Sequence, residues 1–289
     1  MPAENNVIKK NDMAKVRELD FALKFEENIK GLIEMLGITR KQPAAAGTVL
    51  KQLKVTGTLE SGTVAEGEII PLSHYQTTWT PVGELVLNKW RKATTAEAIQ
   101  KGGYDQAVNR TNEKAILDAQ KTIRTTFMNA LAAGTGTASG QGLQKALAAA
   151  WGQLQVKFED DAVQSVYIMN PLDVATYMGD ATISTQSAFG MTYLENFLGL
   201  GNVIMSSQVP QGTFYATASE NLVLYYVDVN GGDGLSEVFA FTTDETGYIG
   251  IHEEGNYQRL QEETIMVSGV TLFPEKPDGI IVGTITSSF

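Results

Sequence analysis

The stretch that organises the chain reads DQAVNRTNEKAILDAQKTIRTTFMNALAA, residues 105–133. Its apolar residues recur at steps of three and four, which places them along one face of a helix, opposite polar residues such as Asn112. Asp105 is a residue type that caps a helix start, and Gly134 is one that favours a left-handed end. At the rise of an α-helix this segment would be about 43 Å long, more than a compact domain needs. The predicted apolar face consists of Ile116, Ala119, Ile123, Phe127 and Ala130.

Composition narrows the classes of function. The 289 residues carry a formal net charge of -11, which argues against a nucleic-acid-binding protein because phosphate binding needs clustered Lys and Arg. There is no cysteine, so disulfides, thiolate catalysis and cysteine-based metal sites are excluded. The N-terminus lacks an apolar signal core, and no apolar run is long enough to span a bilayer. We therefore expect a soluble protein made in a cytoplasm.

The N-terminal third divides into an arm, a helix, a linker and a ribbon. Residues 1–12 are polar and predict a mobile arm, and the period of 14–36 predicts a helix that ends at Gly37. Small residues at 42–47 indicate a linker. Alternating residues over 48–88 predict two long strands joined by glycine turns. An isolated two-stranded ribbon is only marginally stable in water, so we expect it to lie on another surface.

The next segments flank the long helix. Residues 90–99 predict a short helix, and the Gly/Thr/Ser stretch 134–142 predicts a flexible hinge that leads into an alanine-rich helix through about Trp151. Residues 162–171 predict a buried strand followed by a helix that Asn170 caps.

Strands dominate the remainder of the chain. The pattern predicts strands near 203–205, 214–217, 222–229 and 235–241, with a turn at 230–234. Alternating apolar residues between Tyr248 and Ile285 predict further strands, which we expect to belong to one sheet.

Two glycine-containing motifs fall short of a ligand site. Gly134-x-Gly136 resembles the start of a dinucleotide fingerprint, but the third glycine position holds Ser139 and a helix precedes it. Residues 228–234 resemble half of a calcium loop, but the required oxygens are missing at Gly232 and Phe239. A structural turn explains both stretches better.

Candidate catalytic and metal-binding groups are equally sparse. His74 and His252 are the only histidines, and the serine-nucleophile and metalloprotease motifs are absent. The acidic runs 159–161 and Glu262-Glu263 resemble glycosidase carboxylates in type, although adjacent acids more often form a solvated surface. The sequence therefore predicts no catalytic residue, no cofactor site and no metal site.

Four segments, in order, resemble tailed-bacteriophage major capsid proteins of the HK97-like fold. NALAAGTGTASGQGL, residues 129–143, is similar to the end of the family's spine helix and the turn after it. SVYIMNPLDVATYMGD, residues 165–180, resembles the entry into the axial domain. LGLGNVIMSSQVPQGTFYA, residues 198–216, resembles a strand pair, with Asn202 where proline is common. FTTDETGYIGI, residues 241–251, resembles the return to the peripheral domain.

The resemblance implies an α+β, HK97-like capsid fold with a long spine helix, axial and peripheral domains, an extended β-hairpin loop and an N-terminal arm. The implied divisions are the arm at 1–47, the extended loop at 48–90, the peripheral domain with the spine helix at 91–140, the axial domain at 141–240 and peripheral strands at 241–289.

The implied function is structural, not enzymatic. Many copies would form pentamers and hexamers of an icosahedral shell around double-stranded phage DNA, with a scaffolding protein and a portal as partners and no membrane. The location would be the virion, assembled in the host bacterial cytoplasm. Some relatives crosslink a loop lysine to another subunit, but neither Lys51 nor Lys54 matches that motif. An encapsulin-type compartment and an α+β hydrolase that uses acidic residues remain the alternatives.

Overall fold

The computed structural model describes residues 10–158, 164–178, 186–188, 191–231, 238–243 and 245–286. The helices are α1 (Lys10–Leu36), α2 (Ala96–Gly102), α3 (Arg110–Ala132), α4 (Gly142–Lys157) and α5 (Pro171–Met178). The first eight strands are β1 (Arg40–Pro43), β2 (Val49–Thr58), β3 (His74–Glu84), β4 (Asn88–Thr95), β5 (Gly136–Gln141), β6 (Ser165–Met169), β7 (Gln186–Ala188) and β8 (Met191–Phe197). The others are β9 (Gly201–Met205), β10 (Thr213–Ala218), β11 (Leu222–Tyr226), β12 (Ile249–Asn256), β13 (Gln261–Ser268), β14 (Val270–Pro274) and β15 (Ile280–Thr286).

The strands form four sheets. A seven-stranded mixed sheet has the order β5-β15-β10-β6-β9-β8-β7, and two three-stranded sheets have the orders β12-β13-β4 and β1-β11-β14. Strands β2 and β3 form a separate antiparallel pair. The α+β class predicted from the sequence is confirmed.

The seven-stranded sheet separates two hydrophobic cores. Along β6 every residue is buried, and Val166 and Ile168 pack into the core with α1 and α3, whereas Tyr167 and Met169 pack into the core with α4. Side chains alternate between the faces of a strand, so a strand covered by helices on both sides must be apolar throughout. This explains why SVYIM lacks an alternating pattern.

The long helix is present. A π-helical turn over Asp105–Asn109 continues directly into α3, which buries Ile116, Ala119, Ile123 and Phe127 as predicted. Asp105 does not cap the helix, because it is the first residue of the turn and Tyr104 occupies the N-cap position. The placement of Asn112 on the solvent face was also wrong, since this residue is 1% exposed.

Helix α3 ends next to Gly134, as predicted, but the role of this glycine differs from the predicted one. The helix stops at a C-cap, Ala133, and Gly134 is not among the glycines with positive φ. A Cβ at Gly134 would lie 2.6 Å from Ile280 Cγ2, at the start of β15. The glycine is therefore required because a strand from the far end of the chain packs directly against the backbone there.

The N-terminal helix is longer than predicted. It begins at Lys10, so 10–12 are helical, and the rest of the predicted arm, 1–9, lies outside the described residues. Its end at Gly37 is confirmed: φ is +64°, and the Ile38 N–H donates to Ile33 O at 3.0 Å. Leu23, which belongs to the apolar period that predicts this helix, is nevertheless 41% exposed.

Three local predictions were wrong because tertiary pairing overrides the local pattern. Residues 90–95 belong to strand β4, and the helix starts only at Ala96. Pro43 was predicted to lie in a linker, but it is the last residue of strand β1, which pairs in parallel with β11. Residues 136–141 form strand β5, parallel to β15, instead of a flexible hinge.

The C-terminal strands are distributed over three sheets, not one. Strands β12 and β13 join β4, strand β14 joins β11, and β15 lies inside the seven-stranded sheet between β5 and β10. Of the predicted strand at 235–241, residues 235–237 lie outside the described part, and 238–241 are not extended in a sheet. Positions 232–234 of the turn also lie outside it.

The capping role of Asn170 is confirmed, and Asn202 has a defined partner. The Leu172 N–H donates to Asn170 Oδ1 at 3.0 Å, in the manner of an N-cap. The Asn202 Nδ2 donates to Met35 O at 3.1 Å, and its Oδ1 accepts from the Asn196 N–H. Asn202 thus ties the end of α1 to the β8–β9 turn.

The close packing at Gly134 predicts a cost for any side chain there. We expect Gly134→Ala to lower the free energy of unfolding by about 1–3 kcal/mol, because the added methyl must displace Ile280. The control is Gly102→Ala in α2, where a Cβ meets nothing within 4 Å and alanine favours the helix. Thermal unfolding by circular dichroism measures both variants, with the assembly state checked by sedimentation. Equal melting temperatures would contradict the packing role.

Candidate assembly surfaces

The β2–β3 ribbon joins the body of the chain at its root. Leu50 and Leu85 are buried there, 4% and 0% exposed. The Gln52 Nε2 donates to Pro274 O at 3.2 Å, and the Gly47 N–H donates to Leu85 O at 2.9 Å. Beyond this root, β2 and β3 pair only with each other among the described residues.

The ribbon has one apolar face. In its register Val55 is opposite Thr77 and Gly57 is opposite Tyr75, and Trp79 lies two residues after Thr77. These positions share a face because side chains alternate along each strand. Val55, Tyr75 and Trp79 are 56%, 54% and 59% exposed. The other face carries the polar positions Gln52, Lys54, Thr56, Thr58, His74, Gln76, Thr78 and Thr80.

The tip of the ribbon, residues 59–73, is more exposed still. Leu59, Ile69, Ile70 and Leu72 are between 71% and 94% exposed. Contiguous exposed apolar surface of this kind marks an interaction site in a folded protein. The ribbon is therefore the principal candidate assembly surface.

None of the helices in the described ranges is long and apolar enough to cross a membrane.

A network of buried polar side chains connects helices and strands in the body of the chain. The Glu18 carboxylate on α1 accepts from the Glu253 backbone N–H at 2.5 Å and from the Thr242 hydroxyl. The Glu253 carboxylate accepts from Asn112 Nδ2 at 2.5 Å, and Asn112 Oδ1 accepts from Thr264 Oγ1 at 3.2 Å. The network therefore joins α1, α3 and the β12–β13 hairpin, which favours one fixed arrangement of these elements.

Lys92 extends this polar region from strand β4. Its ammonium group donates to Val108 O at 3.1 Å and to Thr111 Oγ1 at 2.6 Å, both at the start of the long helix. Burial lowers the pKa of Lys92, although the nearby carboxylate of Glu253 opposes this shift.

Sequence reasoning missed this network, although one signal was present. Glu18 precedes Phe21, Ala22 and Phe25 by three, four and seven positions, so it lies on the apolar face of α1. A carboxylate at such a position is buried only when hydrogen-bond partners surround it. The same signal was present for Asn112, which precedes Ile116 and Ala119 by four and seven positions and so lies on the apolar face of the long helix.

Comparison with known proteins identifies solved structures that share the architecture of this chain. The sequence matches no protein-family model and no curated protein. The structure is similar to that of Gordonia phage Cozz, with a TM-score of 0.56 at 11% identity over 89% of this chain and 87% of that chain. For the mature capsid of bacteriophage PhiM1 the TM-score is 0.53 at 7% identity, over 91% and 86%. For the holo-SrpI encapsulin complex from Synechococcus elongatus it is 0.50 at 10% identity, over 98% and 92%.

The chain has the HK97-like fold. At these identities the likeness concerns architecture. It extends over 89% of the chain in the first of these structures and 98% in the last.

The acidic pair does not have the properties of a catalytic pair in this HK97-like chain. Glu263 was predicted to be solvated, but it is only 4% exposed. Arg91 contacts both of its carboxylate oxygens, through Nε at 2.8 Å and Nη2 at 2.7 Å. The hydrogen bond from Arg91 is the main reason that the pKa of Glu263 falls to about 2. A general acid needs a raised pKa instead. The neighbouring carboxylate of Glu262 accepts a hydrogen bond from the Tyr104 hydroxyl. The other acidic candidate, residues 159–161, lies outside the described ranges.

The other sequence candidates are not brought together. His74 starts β3 in the ribbon, whereas His252 lies in β12 with Nε2 3.6 Å from Glu254 Oε2. Within the described ranges, no group of three or more His, Cys, Asp or Glu is placed to hold a metal ion. In the Gly-rich stretch, a Cβ at Gly140 would lie 2.3 Å from Ala146 N, so that glycine serves the close packing of β5 against α4.

The Arg91–Glu263 pair predicts a pH-dependent contribution to stability. The folded-state pKa of Glu263, about 2, lies below the unfolded value of about 4.3. The ionised pair therefore stabilises the fold fully above pH ~4.3, and this contribution is lost as the pH falls towards 2. We expect Arg91→Gln to lower the melting temperature at pH 7 and to have progressively less effect below pH ~4.

The matched control is Arg110→Gln. Arg110 pairs with Asp105 at 3.6 Å, and both side chains are more than 70% exposed, so we expect almost no change. Melting curves from pH 2 to pH 7, with the assembly state checked by sedimentation, measure both variants. An effect of Arg91→Gln that is the same at every pH would contradict the assigned ion pair.

Proposed function

We propose that the chain is a shell-forming structural protein, the major capsid protein of a tailed bacteriophage. The observation that carries the proposal is the ribbon, whose apolar face and tip are uncovered in a chain with the HK97-like fold. Within a shell, neighbouring copies cover such surface, and contacts between different patches close into rings of subunits. Similarity to a phage capsid and to an encapsulin supports the same function.

The proposed organisation follows the family's division of the chain. Residues 1–47 form the N-terminal arm, 48–90 the extended loop, 91–140 the peripheral domain with the spine helix, 141–240 the axial domain and 241–289 the peripheral strands. The last strand, β15, pairs with β10 and β5, so 280–286 belongs by hydrogen bonding with the axial strands. The root of the ribbon at Leu50 and Leu85 supports a loop that starts and ends within 48–90.

The proposed partners are many copies of the chain itself, arranged as pentamers and hexamers, with a scaffolding protein and a portal. The enclosed double-stranded DNA would be held without sequence-specific contacts. The net charge of -11 supports this role, because an acidic wall does not bind packaged DNA tightly. The proposed location is the virion, with assembly in the host bacterial cytoplasm.

An encapsulin-type compartment is the second candidate, and the similarity to the Synechococcus elongatus complex favours it. The contents of purified particles separate the two. Double-stranded DNA in particles from infected cells supports the capsid, whereas a packaged enzyme without DNA supports the compartment. A soluble hydrolase is not favoured, because Glu263 is held ionised by Arg91.

Electron microscopy of the expressed protein tests the proposal, first alone and then with the products of neighbouring genes. Closed shells are the expected result. A monomer in sedimentation experiments, with the ribbon folded against its own body, would overturn the shell function.

The apolar face of the ribbon allows a sharper test. We expect the double variant Val55→Ser/Trp79→Ser to reduce the yield of shells at least tenfold, because each large apolar side chain contributes about 1.5–3 kcal/mol when it is buried at a contact. Both side chains are more than half exposed in the single chain, so the melting temperature of the subunit should change little.

The control changes the opposite face of the same ribbon. Thr56→Ser/Thr78→Ser alters one position of the polar side on each strand and should leave the shell yield unchanged. Particle counts in micrographs and gradient sedimentation measure the yields. Equal yields for the apolar-face variant and wild type would show that this face is not used in assembly.

A further inference from the structure

A depression in the surface lies where the last turn of α1, helix α4, the start of β6 and the β8–β9 turn meet. Its volume is about 620 Å³, and none of the described residues that line it is a lysine or an arginine. We call it the α1–α4 depression. Its lining includes Glu34 from α1, Trp151 and Gln155 from α4, and Gln164 and Ser165 from the start of β6.

The wall formed by β6 contains a buried hydroxyl group. Ser165 is 1% exposed, and its Oγ makes no hydrogen bond of normal geometry with the described residues. Buried polar groups in folded proteins almost always have a partner, because an unpaired group loses its hydration without compensation. The Ser165 hydroxyl therefore points to a polar group that is supplied from outside the chain.

The α1–α4 depression has a negative electrostatic character. Glu34 places a carboxylate at its rim, and this residue is exposed. Glu195 lines another wall but already interacts within the chain, so it contributes only to the overall field. The chain has a net charge of -11, and the described lining holds no cationic side chain. The field therefore favours a positively charged ligand.

Trp151 is a second feature that favours a cation. It is 40% exposed, so part of its indole ring remains accessible in the depression. Among aromatic side chains, indole attracts an ammonium group most strongly. An ammonium group also has three N–H donors and no acceptor, so it needs oxygen atoms around it. The available oxygens belong to the Glu34 carboxylate, the Ser165 hydroxyl and the side-chain amides of Gln155 and Gln164.

The size and composition of the depression favour an organic cation over a metal ion. The described part of the chain places no three His, Cys, Asp or Glu residues together as ligands for a metal. A volume of about 620 Å³ exceeds what one ammonium group needs, and Leu200 adds apolar surface to the lining. Methylene groups between charged ends can lie along such surface.

We propose that the α1–α4 depression binds a linear aliphatic polyamine. One ammonium group would bind between the Glu34 carboxylate and the indole ring of Trp151, and would donate a hydrogen bond to Ser165 Oγ. One subunit contributes every residue of this site, so binding does not depend on the proposed shell function.

Isothermal titration calorimetry of the full-length protein with spermidine tests the site. We expect one molecule to bind per chain. Glu34→Gln and Trp151→Leu should each weaken binding about tenfold, because one removes a charge-assisted hydrogen bond and the other a cation–π contact. Both residues are exposed, so these changes should leave the fold intact.

Ser165→Ala separates ligand binding from a structural role. Because Ser165 Oγ has no hydrogen-bond partner among the described residues, its removal should not lower the melting temperature without spermidine. Spermidine should raise the melting temperature of the wild type, and this rise should become smaller in the variant. A variant that melts lower without spermidine yet shows the full rise would overturn the assignment of Ser165 to the site.

The matched controls lie outside the depression. Glu27→Gln removes an exposed carboxylate from α1 about two turns before Glu34, and Trp79→Leu removes an exposed tryptophan from the ribbon. Neither change should alter the affinity for spermidine. Titration with magnesium chloride at matched ionic strength should show no dependence on Glu34.

Three results would overturn the proposal. One is the absence of spermidine binding. Another is binding that Glu27→Gln weakens as much as Glu34→Gln, since counterions around an acidic protein behave in this way. The third is a density map of the spermidine-treated protein in which residues 159–163 or a side chain of a second copy fills the depression. Failure to form shells would overturn the proposed function and leave the binding site unaffected.

Discussion

The main constraint on this structure is that a single copy of the chain leaves the apolar face of the β2–β3 ribbon exposed. A two-stranded ribbon has no second layer of its own, and alternation along β2 and β3 places Val55, Tyr75 and Trp79 on one side. In most domains such residues would pack on a helix or a second sheet. Here the strands leave the body at Leu50 and Leu85, which are buried, whereas Val55, Tyr75 and Trp79 are more than half exposed. In the proposed shell, the free energy gained by covering the ribbon would be released between molecules, which would link folding of the ribbon to association.

The remainder of the chain provides a rigid base for this ribbon. Strand β4, which follows the ribbon directly, pairs with β13, and Lys92 on β4 bonds to the start of the long helix. Glu18, Glu253 and Asn112 then connect the first helix to the same region through buried hydrogen bonds. Replacing one member would leave its partners unsatisfied in a low-dielectric interior. The cost of breaking this network favours one orientation of the ribbon root in every copy.

The sequence predicted the features that repeat locally and missed those set by distant partners. The period of α3, the end of α1 at Gly37 and the alternation of the ribbon were sufficient to place these elements. Residues 90–95 were predicted as helical, yet pairing with β13 makes them a strand. Gly134 was misinterpreted for the same reason, because Ile280, which determines its role, lies far away in the chain. Asn112 was placed on the polar face although its spacing from Ile116 puts it on the buried one, and only its partner Glu253 is distant in the chain.

The irregularity in pairing between Leu50 and Lys51 has a mechanical consequence. A β-bulge bends and twists a strand locally, and this one lies at the foot of a long, thin projection. For an arm of about 33 Å, a rotation of about 10° at the foot displaces the far end by about 6 Å, close to the spacing of two residues along a strand. In the proposed shell, a change of bend at this position would let identical subunits meet neighbours at flatter or steeper angles while their bodies stay unchanged. The curvature of the closed surface would then depend on the foot of the ribbon.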